Sequence, residues 1–262
     1  MSESTVLTEL REDGVLLVTL NRPEQRNLWN AQLETDYFDA LAAAEKDTSV
    51  RVIVVTGAGT TFCPGLDPAV LSDVSGGSAY LPNRRPQTFT TTIQKPVIAA
   101  INGACAGIGL VQALYCDYRI AVRGAKMTTA FSRRGLPAED GTAWIFSRLA
   151  GPSKAFDLMV TGKVFLTDEA FEHGLIDQLV DGDVVGAAID YARVIATEVS
   201  PVGAAMIKQQ IWHDLGSTLE QSRLLSRHLL AVSKLQPDLA EGARALQERR
   251  TPNFPGFGGL DT

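Results

Sequence analysis

Short β-branched runs that alternate with helical patterns dominate the first half of the chain, and this order restricts it to an α/β fold with a largely buried sheet. Val15–Leu20 reads as a strand, broken by Asn21-Arg22-Pro23-Glu24. Leu33, Tyr37, Phe38, Leu41 and Ala44 then recur at helical spacing and lead to a second apolar run over residues 50–56, completing one βαβ unit. Further strands are expected at Val97–Ile101 and Tyr118–Val122. Residues 72–92, rich in Ser, Gly and Pro and lacking periodicity, are expected to form a partly mobile loop. Beyond Thr142 the pattern is mainly helical, over residues 143–149, 154–160, a start at 167–169, then 184–196 and 201–212, with a brief apolar interruption at 175–180. Residues 217–235 and 238–249 form a last helical pair joined through Pro237.

At 262 residues the chain holds one large domain rather than two. Its helical end, residues 201–262, reads as an extension packing on the core or on a neighbouring subunit, and its last seven residues, 256–262, are expected to fray. With 24 Lys+Arg against 30 Asp+Glu, a net charge of −6, no overall positive field attracts nucleic acid or an anionic membrane. Cys63, Cys105 and Cys116 are scattered without a CxxC pair or a nearby His, which points to neither a zinc site nor a disulfide framework. The N-terminus lacks a basic segment followed by an apolar run, and no apolar stretch approaches the roughly 20 residues that span a bilayer. A soluble cytoplasmic protein is expected. GxGxxG after a strand, GxxxxGK[ST], HExxH and GxSxG are all missing. His173, His213 and His228 fall in the helical second half and read as surface or packing residues.

Two strand-to-glycine turns carry the chemistry. Val52-Ile53-Val54-Val55-Thr56-Gly57-Ala58-Gly59 leads to Phe62-Cys63-Pro64-Gly65-Leu66-Asp67, and Ile98-Ala99-Ala100-Ile101-Asn102-Gly103 leads to Ala104-Cys105-Ala106-Gly107-Ile108-Gly109. A buried strand that ends in glycines before a helix leaves backbone N–H groups without intrahelical partners. Two such turns on neighbouring strands would aim N–H groups at one oxygen as an oxyanion hole; the alternative is that the glycines serve only tight packing.

These segments resemble the enoyl-CoA hydratase/isomerase (crotonase) family over nearly the whole chain. Asn21-Arg22-Pro23-Glu24-Gln25-Arg26-Asn27 is similar to its NRPEKRNA element, Phe62–Asp67 to its FCAGAD turn, Lys95–Gly103 to its KPVIAAVNG strand, and Ala113–Arg119 to its ALACDxR stretch. Thr161-Gly162, Ala170, Gly174-Leu175-Ile176-Asp177 and Gln247-Glu248-Arg249-Arg250 with Phe254 follow in family order. The resemblance implies a crotonase-like spiral of ββα units, a core over residues 1–200 that binds acyl-coenzyme A, and a helical oligomerisation region over 201–262 assembling a homotrimer or hexamer. It places the oxyanion donors at the backbone N–H of Leu66 and Ile108, and the lining of the CoA groove at Arg26 and Leu28. Asp67, on the same binding side, is read as orienting its turn. No metal or redox cofactor is implied, since CoA enters as part of the substrate.

The chain departs from the hydratase pattern where that pattern has two glutamates, for Val111 and Phe131 stand there and neither transfers a proton. A carboxylate comes later, in Gly135-Leu136-Pro137-Ala138-Glu139-Asp140-Gly141-Thr142, where dienoyl-CoA isomerase-like relatives carry an acidic residue at the place of Glu139. Glu139 is therefore the candidate base, Asp140 the weaker one, and either could instead be a charge at a helix start. An apolar surround of Val111, Phe131 and Trp144 would raise the pKa of a buried Glu139. Arg133 and Arg134 either balance these carboxylates or are solvated charges, and Trp144, Phe146 and Trp212 read as packing residues. The rival functions are a non-catalytic acyl-CoA binder, motivated by Val111 and Phe131, and a carbon–carbon bond hydrolase acting without CoA, disfavoured by the positions of the histidines. A nucleic-acid module fits least.

Overall fold

Strand β2 (Val15–Leu20) sits between β1 (Val6–Leu10), which pairs with it antiparallel, and β3 (Val52–Gly57), which runs parallel to it. The computed structural model describes residues 4–70 and 85–260. Every residue of β3 is buried, as a strand covered on both faces must be. β5 (Val97–Ile101), β7 (Tyr118–Val122) and β10 (Gln178–Val180) continue the sheet in parallel, in the order β1-β2-β3-β5-β7-β10. β1 carries no sequence signal, because only Val6 of its five residues is buried and no alternation marks it.

A second sheet has the order β4-β6-β8-β9, from Thr61–Cys63 (β4), Ala104–Ala106 (β6), Lys126–Thr128 (β8) and Phe165–Leu166 (β9). The chain alternates between the sheets: β3 then β4, β5 then β6, β7 then β8. Each pair stacks parallel on the one before, with Cys63 opposite Cys105 and Cys105 opposite Met127. A helix follows the later pairs, so the spiral of ββα units expected from the resemblance is present. Helix α1 (Ala31–Lys46) buries Leu33, Tyr37, Phe38 and Leu41 against Ile53, Val55, Ala99 and Ile101. Asn30 caps its start by accepting from the Leu33 N–H at 2.9 Å. At its end the buried Lys95 ammonium donates to the carbonyls of Ala44 (2.7 Å) and Asp47 (2.6 Å).

Helix α2 (Ile108–Leu114) is wholly buried. It is followed by α3 (Thr142–Ala150), α4 (Pro152–Thr161), α5 (Thr167–Glu172) and α6 (Val184–Glu198). Val184, Ala188 and Ala192 of α6 cover the sheet face formed by Val52, Val54, Ile98, Ala100 and Ile120. Helices α7 (Pro201–Asp214), α8 (Leu219–Ser233) and α9 (Pro237–Glu248) end the chain. Lys208 and Trp212 of α7 both bond the Asp117 carboxylate, at 2.6 and 3.1 Å, which ties this region to the sheet.

Two expectations are corrected. Residues 256–260 do not fray: Phe257 is buried with Val202, Met206 and Leu229, and the Leu260 backbone exchanges two hydrogen bonds with the Gln94 side chain. Of the expected loop over 72–92, residues 72–84 lie outside the described residues, but Gln87–Thr92 is a 3-10 turn with Gln87 and Thr90 buried. No described helix is long and apolar enough to cross a membrane.

Candidate active site

The two glycine turns meet. After β4 the chain turns at Gly65 (φ 123°), and after β6 it turns at Gly107 (φ 51°, ψ −124°), conformations that residues with a Cβ rarely adopt. A Cβ on Gly107 would lie 3.7 Å from the Cα of Gly65, and one on Gly65 would lie 3.5 Å from the Ala106 carbonyl oxygen. Tight packing and convergence of the turns therefore occur together.

The N–H groups of Leu66 and Ile108 are left open for different reasons. Leu66 forms a parallel bridge with Trp29, in which Trp29 N–H donates to the Gly65 carbonyl (2.9 Å) and Asp67 N–H donates to the Trp29 carbonyl (2.8 Å). The residue between two such bonds turns its own backbone groups to the opposite edge. Ile108 opens α2, where an N–H has no intrahelical acceptor, while Gly107 before it donates to Thr128 at 3.0 Å. Among the described residues no acceptor is bonded to either N–H. The Ile108 side chain is buried in the core.

Residues 22–29 are fastened to the first turn. Arg22 donates to the Leu28 carbonyl and to the Asp67 carboxylate, the latter at 3.2 Å. Asn27 is buried in a left-handed conformation (φ 61°) and donates to the carbonyls of Ala58 (2.9 Å) and Thr61 (2.7 Å). Arg26 (φ 53°) is exposed and Leu28 half-buried. Asp67 spends its carboxylate on Arg22 and on the Ala69 N–H, as a turn-orienting residue does. Arg22 and Asn27 stand in the motif quoted for the resemblance, yet Asp67, Ala58 and Thr61, which they hold, lie 31 to 45 residues away, so no local pattern marks these contacts.

Glu139 lies half-buried just before α3, and its carbonyl accepts from the Thr142 N–H (2.9 Å) and hydroxyl (2.6 Å). Asp140 (φ 47°) and Gly141 (φ 72°) follow in left-handed conformations, so the chain turns sharply after Glu139. At the far end of α2, the Tyr115 hydroxyl donates to the Asp140 carbonyl. Burial pushes the Tyr115 phenol up to about 12, which keeps it a donor. Thus α2 presents Ile108 at one end and holds the Glu139 loop at the other, about 10 Å along the helix axis. Between them Val111 is 1% exposed, and Phe131 is 8% exposed.

Other expected residues stand apart from this arrangement. Trp144 is not a buried wall beside Val111: it is 38% exposed, with the Arg148 guanidinium 4.0 Å over its ring. Phe146 is core, and Trp212 leans on Tyr115. Arg133 donates to the Thr161 carbonyl at 2.8 Å, and Arg134 is exposed. His213 bonds Asp214 and Ser217 on the surface of α7, and His228 is exposed on α8. Burial pushes the thiols of Cys63 and Cys116 up to about 12, the wrong direction for a nucleophile.

The family described as enoyl-CoA hydratase/isomerase matches residues 10–256. The 1,2-epoxyphenylacetyl-CoA isomerase of Escherichia coli K12 is 35% identical over 256 residues, 94% of this chain and 96% of that protein. Among solved structures, an enoyl-CoA hydratase from Mycobacterium tuberculosis H37Rv superposes with a TM-score of 0.89 at 30% identity, covering 97% of this chain and 100% of that one. A probable enoyl-CoA hydratase/isomerase from Mycobacterium abscessus gives 0.88 at 31% identity, covering 96% and 98%. Ordered motifs, paired glycine turns and full-length similarity converge, and the chain belongs to the enoyl-CoA hydratase/isomerase (crotonase) family.

Proposed function

We propose that this protein isomerises an unsaturated acyl-CoA thioester, with the Leu66 and Ile108 N–H groups receiving the thioester oxygen and Glu139 moving the proton. The observation that carries this reading is the buried apolar pair Val111 and Phe131, which leaves no carboxylate at either position of the hydratase pair. A single base suits a reaction that returns the proton it removes. The Glu139 carboxylate takes a proton from C2 of a 3-enoyl thioester, and the C2–H electron pair moves into a dienolate whose charge rests on the thioester oxygen. The protonated Glu139 then delivers that proton to C4, the double bond settles at C2, and no water is consumed. The two N–H donors stabilise the oxygen most when it bears the charge, so they lower the barrier rather than only binding substrate.

Arg26 and Leu28 flank the first turn, as residues lining a CoA groove would, and CoA serves as the handle of the substrate. The test is turnover of a panel of trans-2- and 3-enoyl-CoA esters by wild type and Glu139→Gln, followed by absorbance and product mass. A product of unchanged mass whose formation drops about 10²-fold or more in the variant supports the reading. A gain of 18 mass units would make the protein a hydratase, and tight binding without turnover in both proteins would make it a thioester binder.

A further inference from the structure

A chain of buried polar side chains runs between the carriers of the two N–H donors. Trp29, whose backbone brackets Leu66, donates its indole N–H to the Glu34 carboxylate at 2.9 Å. The Gln87 amide donates to the same carboxylate oxygen at 2.6 Å. The Gln112 amide in turn donates to the Gln87 side-chain oxygen, and Gln112 lies one turn of α2 beyond Ile108. All four residues are almost fully buried.

Such a chain is costly to keep in a core, where a carboxylate and two carboxamides lose hydration that apolar side chains of equal size would not. It even leaves the Gln112 Oε1 buried without a donor among the described residues. What it supplies is direction. The Glu34 oxygen only accepts, so Gln87 must turn its NH2 toward it and its oxygen toward Gln112, which must then present its own NH2. Three hydrogen bonds thereby set the spacing between Trp29 and α2, and apolar contacts, being non-directional, would let these elements slide.

We propose that Glu34, Gln87 and Gln112 are positioning residues that hold the Leu66 and Ile108 N–H groups at the separation needed to share one oxygen, an inference that rests on the isomerase reading above. None of them touches substrate. Loss of the chain displaces the donors relative to each other and weakens stabilisation of the enolate oxygen more than binding of the thioester.

The experiment combines kinetics on the enoyl-CoA ester that wild type turns over with the infrared band of the bound thioester carbonyl, using hexanoyl-CoA labelled with carbon-13 at that carbonyl. In wild type the band moves to lower frequency on binding. Glu34→Leu, checked for folding by circular dichroism, is expected to show a smaller displacement and a kcat lower by about ten- to a hundredfold with KM within about twofold. Glu34→Gln keeps an oxygen that accepts from both Trp29 and Gln87, and is expected to restore most of both. Should Glu34→Leu fail to fold, Gln87→Met cuts the chain while sparing the Trp29–Glu34 bond and is judged by the same two readouts. A folded variant with unaltered kcat and an unaltered band overturns the proposal, as does Glu34→Gln being as impaired as Glu34→Leu. A wild-type band that does not move on binding overturns the oxyanion-hole reading itself.

Discussion

Gly109 packs so closely on Cys63 that an added Cβ would fall 2.1 Å from the Cys63 carbonyl oxygen and 2.6 Å from its Cβ. One residue follows Ile108 and the other lies three before Leu66, so this contact sets how near the two turns approach. No rotamer change relieves a clash with a carbonyl oxygen, so α2 itself must move. Gly109→Ala is expected to lower stability by about 1–3 kcal/mol and to reduce kcat at least tenfold while the protein still folds. Urea denaturation together with steady-state kinetics checks both, and a variant with wild-type kcat would show that the separation of the turns does not matter.

Arg22 is the second device that sets the first turn. Its guanidinium joins the Leu28 carbonyl to Asp67, with both side chains largely withdrawn from solvent. Arg22→Leu leaves Asp67 with one fewer donor and frees the segment carrying Arg26 and Leu28. The expected cost is about 1–3 kcal/mol of stability, with KM for an acyl-CoA raised more than kcat is lowered. A fall in kcat alone would mean that the segment bears on the reacting carbon rather than on CoA.

Much of this arrangement is legible from sequence because single residues demanded it. A left-handed turn next to another backbone requires glycine, so Gly65 and Gly107 announce themselves, and the fully buried β3 reads as an unbroken apolar run. The second sheet does not, since Thr61–Cys63, Ala104–Ala106 and Lys126–Thr128 are three residues each, too short for a period. Glu34 and Gln87 interrupt apolar or polar stretches without any local sign that they meet. Docking of the tail depends on Thr48 and Gln94, far away in the chain. What sequence hides is the partner, whenever the partner is distant and polar.

We propose that the protein assembles as a homotrimer or as a hexamer of two trimers through its helical end. Leu219, Leu235 and Leu246 are each more than 80% exposed, and Ile207, Ile211, Leu230 and Leu239 more than half exposed, a density of apolar surface that a monomer does not usually leave in water. Light scattering in solution is expected to give three or six times the chain mass. A monodisperse monomer at micromolar concentration would refute this assembly.

Stability is expected to fall steeply above pH 9, and the sign follows from the buried thiols. Burial pushes Cys63 and Cys116 up to about 12 and moves Cys105 in the same direction. In the unfolded chain these thiols ionise near pH 8.5, so above that pH the unfolded state holds fewer protons than the folded one. Their contribution is complete below the unfolded value and is lost as pH rises. Lys95 opposes them: desolvation pulls its ammonium down to about 8, so between there and roughly pH 10.4 the unfolded state holds the extra proton and this group adds stability as pH rises. Three thiols against one amine leave a net loss of stability as the pH rises above 9. Urea midpoints between pH 7 and 10.5 measure the slope. Cys105→Ala should make it shallower by about one thiol's share and Lys95→Met steeper by a similar amount, and a flat profile through pH 10 would mean that the thiols reach solvent in the native state.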